Sequence, residues 1–406
     1  MSIQSIAITP FSDESLESYL LRLSGSLGFL RFRDFTDYLW QQMPASKEKL
    51  LCPLPKTLRH ANLYHSASTH NDFLASLLFL EGLDSVPRFN VIKLALCSSD
   101  SAFSPHFSGI FRSDVLYPRT FLRKQNTPVC PQCLSESAYI RQVWQCIPYT
   151  VCHKHGKALL QRCPKCKATL CFKETESITR CECGQSLTEV EAPNADTSAL
   201  LVSAWLSGEN QGMDGLLGDN LDISTRYGML LWYLHRHEET DDIQYRGFVS
   251  YMANWPKVLF DELDKQADGA DDKRLKPWNQ CFFSDFFGTL LNDCRELPSR
   301  LPKGNPVLSA LLAYLTRLVA QHPRTKRGNI GDVLLSTHEA CTLLSCSKTQ
   351  VYRLLDAGIL TSAVKVGFHS KPDDFESIYH LRSIVQIKLS HMSTPGTGLN
   401  TFLPER

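Results

Sequence analysis

Apolar residues recur at helical spacing close to the start of the chain. Leu16, Tyr19, Leu20 and Leu23 fall on one face of a helix, and Ser12 can cap its first turn. The same spacing continues in two further runs, Phe32, Phe35 and Leu39, then Phe73, Leu74, Leu77, Leu78 and Leu80. Short helices joined by glycine-bearing turns predict a helix-turn-helix domain, which we assign to residues 1–125.

The helical periodicity weakens between residues 102 and 128. Aromatic residues alternate there with polar ones, at Phe103, Phe107, Phe111, Tyr117 and Phe121. We interpret this segment as an extended linker that packs on the N-terminal helices and leads into a cysteine-rich region.

Helical periodicity returns downstream of the cysteines and predicts a helical domain over residues 196–325. Its apolar runs are Leu200, Leu201, Trp205 and Leu206, then Leu230, Leu231, Trp232 and Leu234. Asn305 caps a further helix that has Pro306 in its first turn. Residues 264–276 are charged and contain glycine, so we interpret them as a surface loop.

The last predicted domain, residues 326–406, has the pattern of a helix-turn-helix. Ser336 and Glu339 form a capping box at the start of one helix, and Ser347 caps a second helix after a short turn. Such a second helix can lie in the major groove of DNA, but the same unit also serves as a protein docking module. The side chains expected to face outward are Lys348, Thr349, Gln350, Tyr352 and Arg353.

The charge of the chain is almost balanced, with 43 basic and 42 acidic side chains and a formal net charge of +1. A domain that holds naked DNA alone is usually strongly basic, because phosphate neutralisation supplies most of its affinity. Nucleic-acid contacts must therefore depend on local patches. One basic run, between Lys154 and Lys167, is interpreted as a solvated face, with contact to phosphate or to an acidic protein as the alternative.

Fifteen cysteines are present, and nine of them lie between Cys130 and Cys183. Two residues separate the members of two pairs, Cys130 with Cys133 and Cys163 with Cys166, so a tight turn can direct two sulfurs at one metal ion. This spacing predicts a tandem zinc-ribbon-like module at residues 126–195 with two Zn²⁺ ions. The expected ligands are Cys130, Cys133, Cys152 and His155 in the first site, and Cys163, Cys166, Cys181 and Cys183 in the second.

Three residues compete with these ligands. His153 is an alternative to His155, although the spacing favours His155 and makes His153 a surface residue. In the second site Cys171 or Cys146 could replace one of the last two cysteines, which have a single residue between them.

Disulfide bonds are the other interpretation of the cysteines. The cysteine count is odd, and the first residues carry no secretion signal. The usage therefore favours a reducing cytoplasm, where paired thiols bind metal more often than they form bridges. No apolar stretch is long enough to predict a membrane-spanning helix.

Signatures of catalysis are missing from the sequence. It has no phosphate-binding glycine loop and no His-Glu-x-x-His, since His235, His237, Glu238 and Glu239 have the wrong spacing. A zinc ion with four protein ligands also leaves no position for a substrate or an activated water. We expect a mainly α protein without enzymatic activity.

Several local motifs together carry a resemblance to a known family. They are residues 11–18, 117–123, 130–134 with Trp144, 152–155, 205–206, 248–251 and 254–256. The chain resembles the TniQ/TnsD family of transposon targeting proteins, and is most similar to TniQ of transposons that carry a type I-F CRISPR system.

This resemblance implies a cytoplasmic adaptor of a prokaryotic cell. TniQ-like proteins form a head-to-tail homodimer that binds Cascade, the RNA-guided complex, at its crRNA-processing subunit and the neighbouring backbone subunit. The dimer then recruits the AAA+ regulator TnsC and the transposase for DNA integration. Contact with crRNA and target DNA is mostly indirect, because base pairing supplies the sequence choice.

Three other functions remain open at this point. A target selector of the TnsD type would read a DNA site itself through Lys348, Gln350 and Arg353. A helix-turn-helix transcription regulator with zinc ribbons is a second alternative. A zinc enzyme is the third, and it would need an open coordination position.

Overall fold

A computed structural model describes most of the chain. The described residues are 8–42, 55–65, 77–78, 80, 91–104, 106–209, 214–237, 245–363 and 376–393. They form two compact units, Met1–Gln211 and Gly212–Arg406. Helices make up about half of the protein, and the sheets are small. None of the helices in the described ranges has the length and apolar character needed to cross a lipid bilayer.

Some sequence predictions lie outside the described residues. They concern Phe73, Leu74, Glu238 and Glu239. Of the apolar run near residue 77, Leu77 and Leu80 are fully buried, whereas Leu78 is 51% exposed.

The first unit begins with two helices whose apolar faces share one core. These are α1 (Leu16–Ser26) and α2 (Phe32–Gln42). The residue that caps α1 is Ser15, whose Oγ accepts a hydrogen bond from the Ser18 amide at 3.3 Å, so the prediction of Ser12 as the cap is wrong. The core contains Leu16, Tyr19, Leu20, Leu23, Phe32, Phe35 and Leu39.

A three-stranded antiparallel sheet follows where the sequence predicted an extended linker. Its strands are β1 (Cys97–Ala102), β2 (Ser108–Arg112) and β3 (Val115–Pro118), in the order β1-β2-β3. Arg112 pairs with Val115, and Ser113 adopts a positive φ of 55° in the turn between them. The linker interpretation is wrong for this part of the segment, because Phe111 lies in β2 and Tyr117 in β3.

The cysteine module, which we define as residues 126–195, has little regular structure. It contains α3 (Pro131–Glu136), the short strand pair β4 (Val151–Cys152) and β5 (Lys157–Ala158), and α4 (Phe172–Thr175). Helix α5 (Thr197–Leu206) packs against β4 and completes the first unit. Because so few of its residues form paired strands, the module needs other cross-links to stabilise its fold.

The second unit is mainly helical. Its first helices are α6 (Ile223–Arg236), α7 (Tyr245–Ala253), α8 (Lys257–Asp268), α9 (Ala270–Lys273), α10 (Ser284–Phe287), α11 (Leu290–Asp293) and α12 (Pro306–Gln321). The Asn305 side chain accepts a hydrogen bond from the Leu308 amide at 2.9 Å, which confirms the predicted cap of α12.

The surface loop predicted at residues 264–276 is helical over most of its length, although much of it is exposed as predicted. Helix α8 runs to Asp268 and α9 follows at once. Ala270 is fully buried within this stretch, and Leu259 and Leu263 are fully buried just before it on α8. These few apolar positions anchor an otherwise charged helix, a pattern that composition alone does not distinguish from a loop.

The C-terminal part of the second unit combines three helices with a two-stranded sheet. In chain order these are β6 (Leu334–Ser336), α13 (Thr337–Leu344), α14 (Lys348–Asp356), β7 (Ser377–His380) and α15 (Leu381–Ser393). The predicted capping box of Ser336 with Glu339 is confirmed, and so is the cap at Ser347. Strands β6 and β7 pair antiparallel, which the sequence did not predict.

Candidate metal centres

Four predicted ligands of the first site lie together. The Nδ1 atom of His155 is 3.5 Å from the Cys130 sulfur, 3.3 Å from the Cys133 sulfur and 3.4 Å from the Cys152 sulfur. The sulfurs of Cys133 and Cys152 are 3.5 Å apart. All four ligand atoms lie within 4.8 Å of one another.

Local structure explains why these atoms converge. Cys130 is the N-cap residue of α3, and Pro131 occupies the first helical turn, so Cys133 comes back to the same side one turn later. Cys152 ends β4, and the Gly156 amide donates to the Cys152 carbonyl oxygen at 2.8 Å. Gly156 has a φ of +62°, a conformation that glycine adopts without strain, and the resulting turn brings His155 to the sulfurs.

The orientation of the His155 ring is fixed from its other side. Its Nε2 lies 2.8 Å from the Glu136 carboxylate, while Nδ1 faces the three sulfurs. A carboxylate that accepts from the distal N–H of a histidine selects the tautomer that binds metal. No spacing in the sequence points to Glu136, because its role depends on how α3 meets the turn after β4.

His153, the alternative ligand, lies outside the first cluster. Its Nδ1 contacts the Tyr149 hydroxyl at 2.7 Å, and its Nε2 lies 3.2 Å from the Glu209 carboxylate. The side chain is 8% exposed, so the prediction of a surface residue is wrong. Burial is the main cause that lowers the pKa of His153.

The four predicted ligands of the second site also form one cluster. The sulfurs of Cys163 and Cys183 are 3.7 Å apart, and those of Cys166 and Cys181 are 3.6 Å apart. Here too, all four ligand atoms lie within 4.8 Å of one another. Cys146 and Cys171 are buried outside both clusters.

Each pair of cysteines in the second cluster lies in a tight turn closed by a single β-bridge. Arg162 pairs with Thr169 around the first turn, and Arg180 pairs with Ser186 around the second. Lys167 and Gly184 adopt positive φ angles of 61° and 79° in these turns. Two such turns facing one another give four sulfurs a common centre.

The separations of the ligand atoms fit a tetrahedral zinc ion. Zinc–sulfur bonds of about 2.3 Å place two sulfurs about 3.8 Å apart in a tetrahedron, close to the observed 3.5–3.7 Å. A disulfide needs about 2.05 Å, and no disulfide bond joins any cysteines of the described residues. Both clusters could therefore bind Zn²⁺, one with three thiolates and an imidazole, the other with four thiolates.

The crowding of the thiols shifts their pKa values in both directions. The thiol of Cys130 lowers the pKa of Cys133, but contact with Cys152 and burial outweigh it and raise that pKa to about 11. In the second cluster burial opposes ionisation, yet the amides of Cys166 and Lys165 lower the pKa of Cys163 to about 6. A metal ion that binds to these crowded thiols displaces their protons, so metal binding depends on pH.

The segment at residues 11–18 docks on the cysteine module through polar contacts. The Tyr139 hydroxyl donates to Asp13 at 2.8 Å, and the Arg141 guanidinium forms an ion pair with the same carboxylate. The Ile140 amide donates to the Ser18 hydroxyl at 2.9 Å. Asp13 and Ser18 thus join the start of the first helix to the module, a role that the apolar spacing of this segment does not predict.

A fully buried carboxylate completes this junction. The Glu17 carboxylate is completely inaccessible and lies 2.8 Å from the ammonium group of Lys173, which is 10% exposed. Burial opposes the ionisation of Glu17, but Lys173 lowers its pKa overall. Sequence reasoning missed this pair, because its members lie far apart in the chain and neither belongs to a metal motif.

The residues predicted to face outward from the C-terminal helix-turn-helix lie on α14. Lys348, Thr349 and Arg353 are exposed, whereas Gln350 and Tyr352 are half-buried. The Oε1 atom of Gln350 accepts a hydrogen bond from the Ser347 amide at 2.7 Å. Gln350 is therefore part of the capping box, a role that the sequence analysis did not give it.

Comparison with known proteins places one family on the first unit. The model of the TniQ family matches residues 5–159. The match includes α1, the junction at residues 11–18 and all four ligands of the first cluster, and it ends before the second cluster. The match covers less than half of the chain and supports a relation of this first unit to the TniQ family. The chain has no match among curated proteins.

Proposed function

We propose that this chain is the targeting adaptor of a CRISPR-associated transposon. In this proposal a homodimer links the RNA-guided Cascade complex to the AAA+ regulator TnsC and the transposase. The match of residues 5–159 to TniQ carries the proposal. The adaptor is non-catalytic: each cysteine cluster supplies four protein ligands, so a zinc ion bound there keeps no open position for a substrate.

In the proposed architecture, two zinc-ribbon-like sites form the centre of the first unit. They hold the N-terminal helices in a fixed orientation through the junction at residues 11–18. Helices α13 and α14 form a second docking element of the helix-turn-helix type. The almost neutral charge of the chain supports this division of labour, because the adaptor does not have to hold DNA alone.

Co-purification tests the proposal. The tagged full chain is expressed with all subunits of a type I-F Cascade, its crRNA and TnsC. We expect the chain to elute with Cascade as two copies per complex, and TnsC to join when target DNA is added. Failure to associate while every Cascade subunit is present and assembled would overturn the proposal.

A second candidate function is direct reading of DNA by α14. Its exposed Lys348 and Arg353 favour this function, since both are cations on the helix that such a unit places in the major groove. Sequence-specific shifts of a duplex by the protein alone, with affinity that falls steeply with salt, would support it over the Cascade adaptor.

Replacing Arg353 by alanine separates folding from binding. Arg353 is exposed, so the free energy of unfolding should change by about 0.5 kcal/mol or less. We expect partner or DNA binding to weaken while the melting temperature stays constant. A clear loss of stability in thermal unfolding would contradict the outward position of this side chain.

Replacing Gln350 by glutamate tests DNA reading without loss of the cap. A carboxylate still accepts the hydrogen bond from the Ser347 amide, whereas Gln350→Ala would lose it and cost about 1 kcal/mol. If α14 lies against DNA, Gln350→Glu should weaken duplex binding strongly and leave the melting temperature unchanged. Unaltered DNA binding by Gln350→Glu would exclude a base or phosphate contact at this position.

A further inference from the structure

Three side chains of the second unit meet outside the cysteine clusters. They are His235 in the last turn of α6, Asp293 at the end of α11, and Glu296 in the 3₁₀ turn that follows α11. One imidazole nitrogen and one oxygen from each carboxylate lie within 4.8 Å of one another. More than fifty residues separate His235 from the two acids, so no local motif predicts the cluster.

Glu296 is the unusual member of this cluster. Its side chain is fully buried, and Oε1 is paired with His235 Nδ1. The other oxygen, Oε2, has no hydrogen-bond partner among the described residues. A buried carboxylate oxygen without a partner destabilises the folded chain, so the arrangement favours a further positive group beside Glu296.

The charges around Glu296 also favour a further positive group. Burial raises the pKa of Glu296 to about 7; His235 lowers this pKa, and the nearby Asp293 carboxylate raises it again. Asp293 accepts a hydrogen bond from the Thr289 hydroxyl at 3.0 Å, which directs its carboxylate. Two carboxylates and an imidazole thus converge with one buried oxygen still unsatisfied, and a divalent cation would neutralise both acids at once.

We propose that His235, Asp293 and Glu296 bind one divalent transition-metal ion. Bonds of about 2.0–2.2 Å to nitrogen and oxygen would draw the three ligand atoms together around the ion. A mixed imidazole and carboxylate set suits zinc better than magnesium, which is bound mostly by carboxylates and water. The ion links the end of α6 to the turn after α11, two elements that already pack together.

Zinc titration of full-length variants tests this site. Protein with filled cysteine clusters is titrated with Zn²⁺ at pH 8 by calorimetry. His235→Ala removes a half-exposed ligand without disturbing the core, and Glu296→Gln keeps the shape of the buried side chain. His237→Ala is the matched control, because it removes an imidazole from the same helix end but not from the cluster.

We expect one additional zinc ion per wild-type chain. His235→Ala and Glu296→Gln should weaken its binding about tenfold or more, since loss of even an outer partner of a metal ligand costs about 10–100-fold. His237→Ala should bind like the wild type. No additional zinc in the wild type, or unchanged binding in His235→Ala, would overturn the proposal. All variants carry the same cysteine clusters, so a difference in zinc binding between His235→Ala and His237→Ala comes from the proposed site. This test does not depend on the adaptor function.

Discussion

Replacing Cys152 by serine should remove one zinc ion from the chain and unfold the first unit. Cys152 is 1% exposed, and its sulfur lies 3.4–3.5 Å from two other ligand atoms of the first cluster. Structural zinc contributes about 10–16 kcal/mol of binding free energy to folding, as much as the whole stability of an ordinary domain. The measurements are zinc content, thermal unfolding, and limited proteolysis of residues 8–209.

Cys171→Ser is the matched control for this prediction. Cys171 is also buried in the cysteine module, at 7% exposure, but lies outside both clusters. This variant should keep its zinc and lose only the small free energy of a buried thiol. Cys130→Ser should behave like Cys152→Ser, because it removes a ligand of the same site. Full zinc content and an unchanged melting temperature in Cys152→Ser would contradict the ligand assignment.

Replacing Glu17 by alanine should destabilise the first unit by about 3–5 kcal/mol. The substitution leaves the ammonium group of Lys173, which is 10% exposed, without its carboxylate partner, and breaking one side of a buried ion pair has this cost. The melting temperature should fall by roughly 10 °C. Zinc content should stay the same, because neither residue belongs to a cluster.

Two controls define the origin of this loss. Arg31→Ala breaks an ion pair with Asp34 whose side chains are 75% and 44% exposed, and should cost at most about 1 kcal/mol. Glu17→Leu combined with Lys173→Met removes both charges and should recover most of the stability. If Glu17→Ala and Arg31→Ala have equal effects, the buried pair does not hold α1 on the cysteine module.

The same pair predicts the direction of a pH effect. Lys173 holds the pKa of Glu17 below its usual value of 4.5 in the folded protein. The stability that this shift contributes is present above pH 4.5 and is lost as the pH falls through the lower, folded-state pKa. Glu17→Gln should therefore show a flatter loss of stability in acid than the wild type, in unfolding experiments below pH 4.5.

The features that sequence reasoning found depend on short, regular spacings. The Cys-x-x-Cys pairs put two sulfurs in one turn whatever surrounds them. The caps at Asn305, Ser336 and Ser347 work in the same way, because an N-cap contact joins residues three positions apart. Such local contacts can be predicted from the sequence without knowing the fold.

The features that it missed depend on the meeting of distant segments. Glu136 orients His155 only because α3 lies beside the turn after β4. Glu17 and Lys173 meet only when α1 docks on the cysteine module. The sequence predicts a linker between residues 102 and 128, where β2 and β3 lie, because these short strands gain their stability from pairing and not from an apolar run.

Zinc-edge X-ray absorption of the purified, reduced full chain tests the central claim most directly. The His235→Ala variant is used, so that only the two cysteine clusters contribute. We predict two zinc ions per chain that share seven sulfurs and one nitrogen, with zinc–sulfur distances of about 2.3 Å. A chain without zinc, or zinc bound mainly by nitrogen and oxygen, would contradict the account.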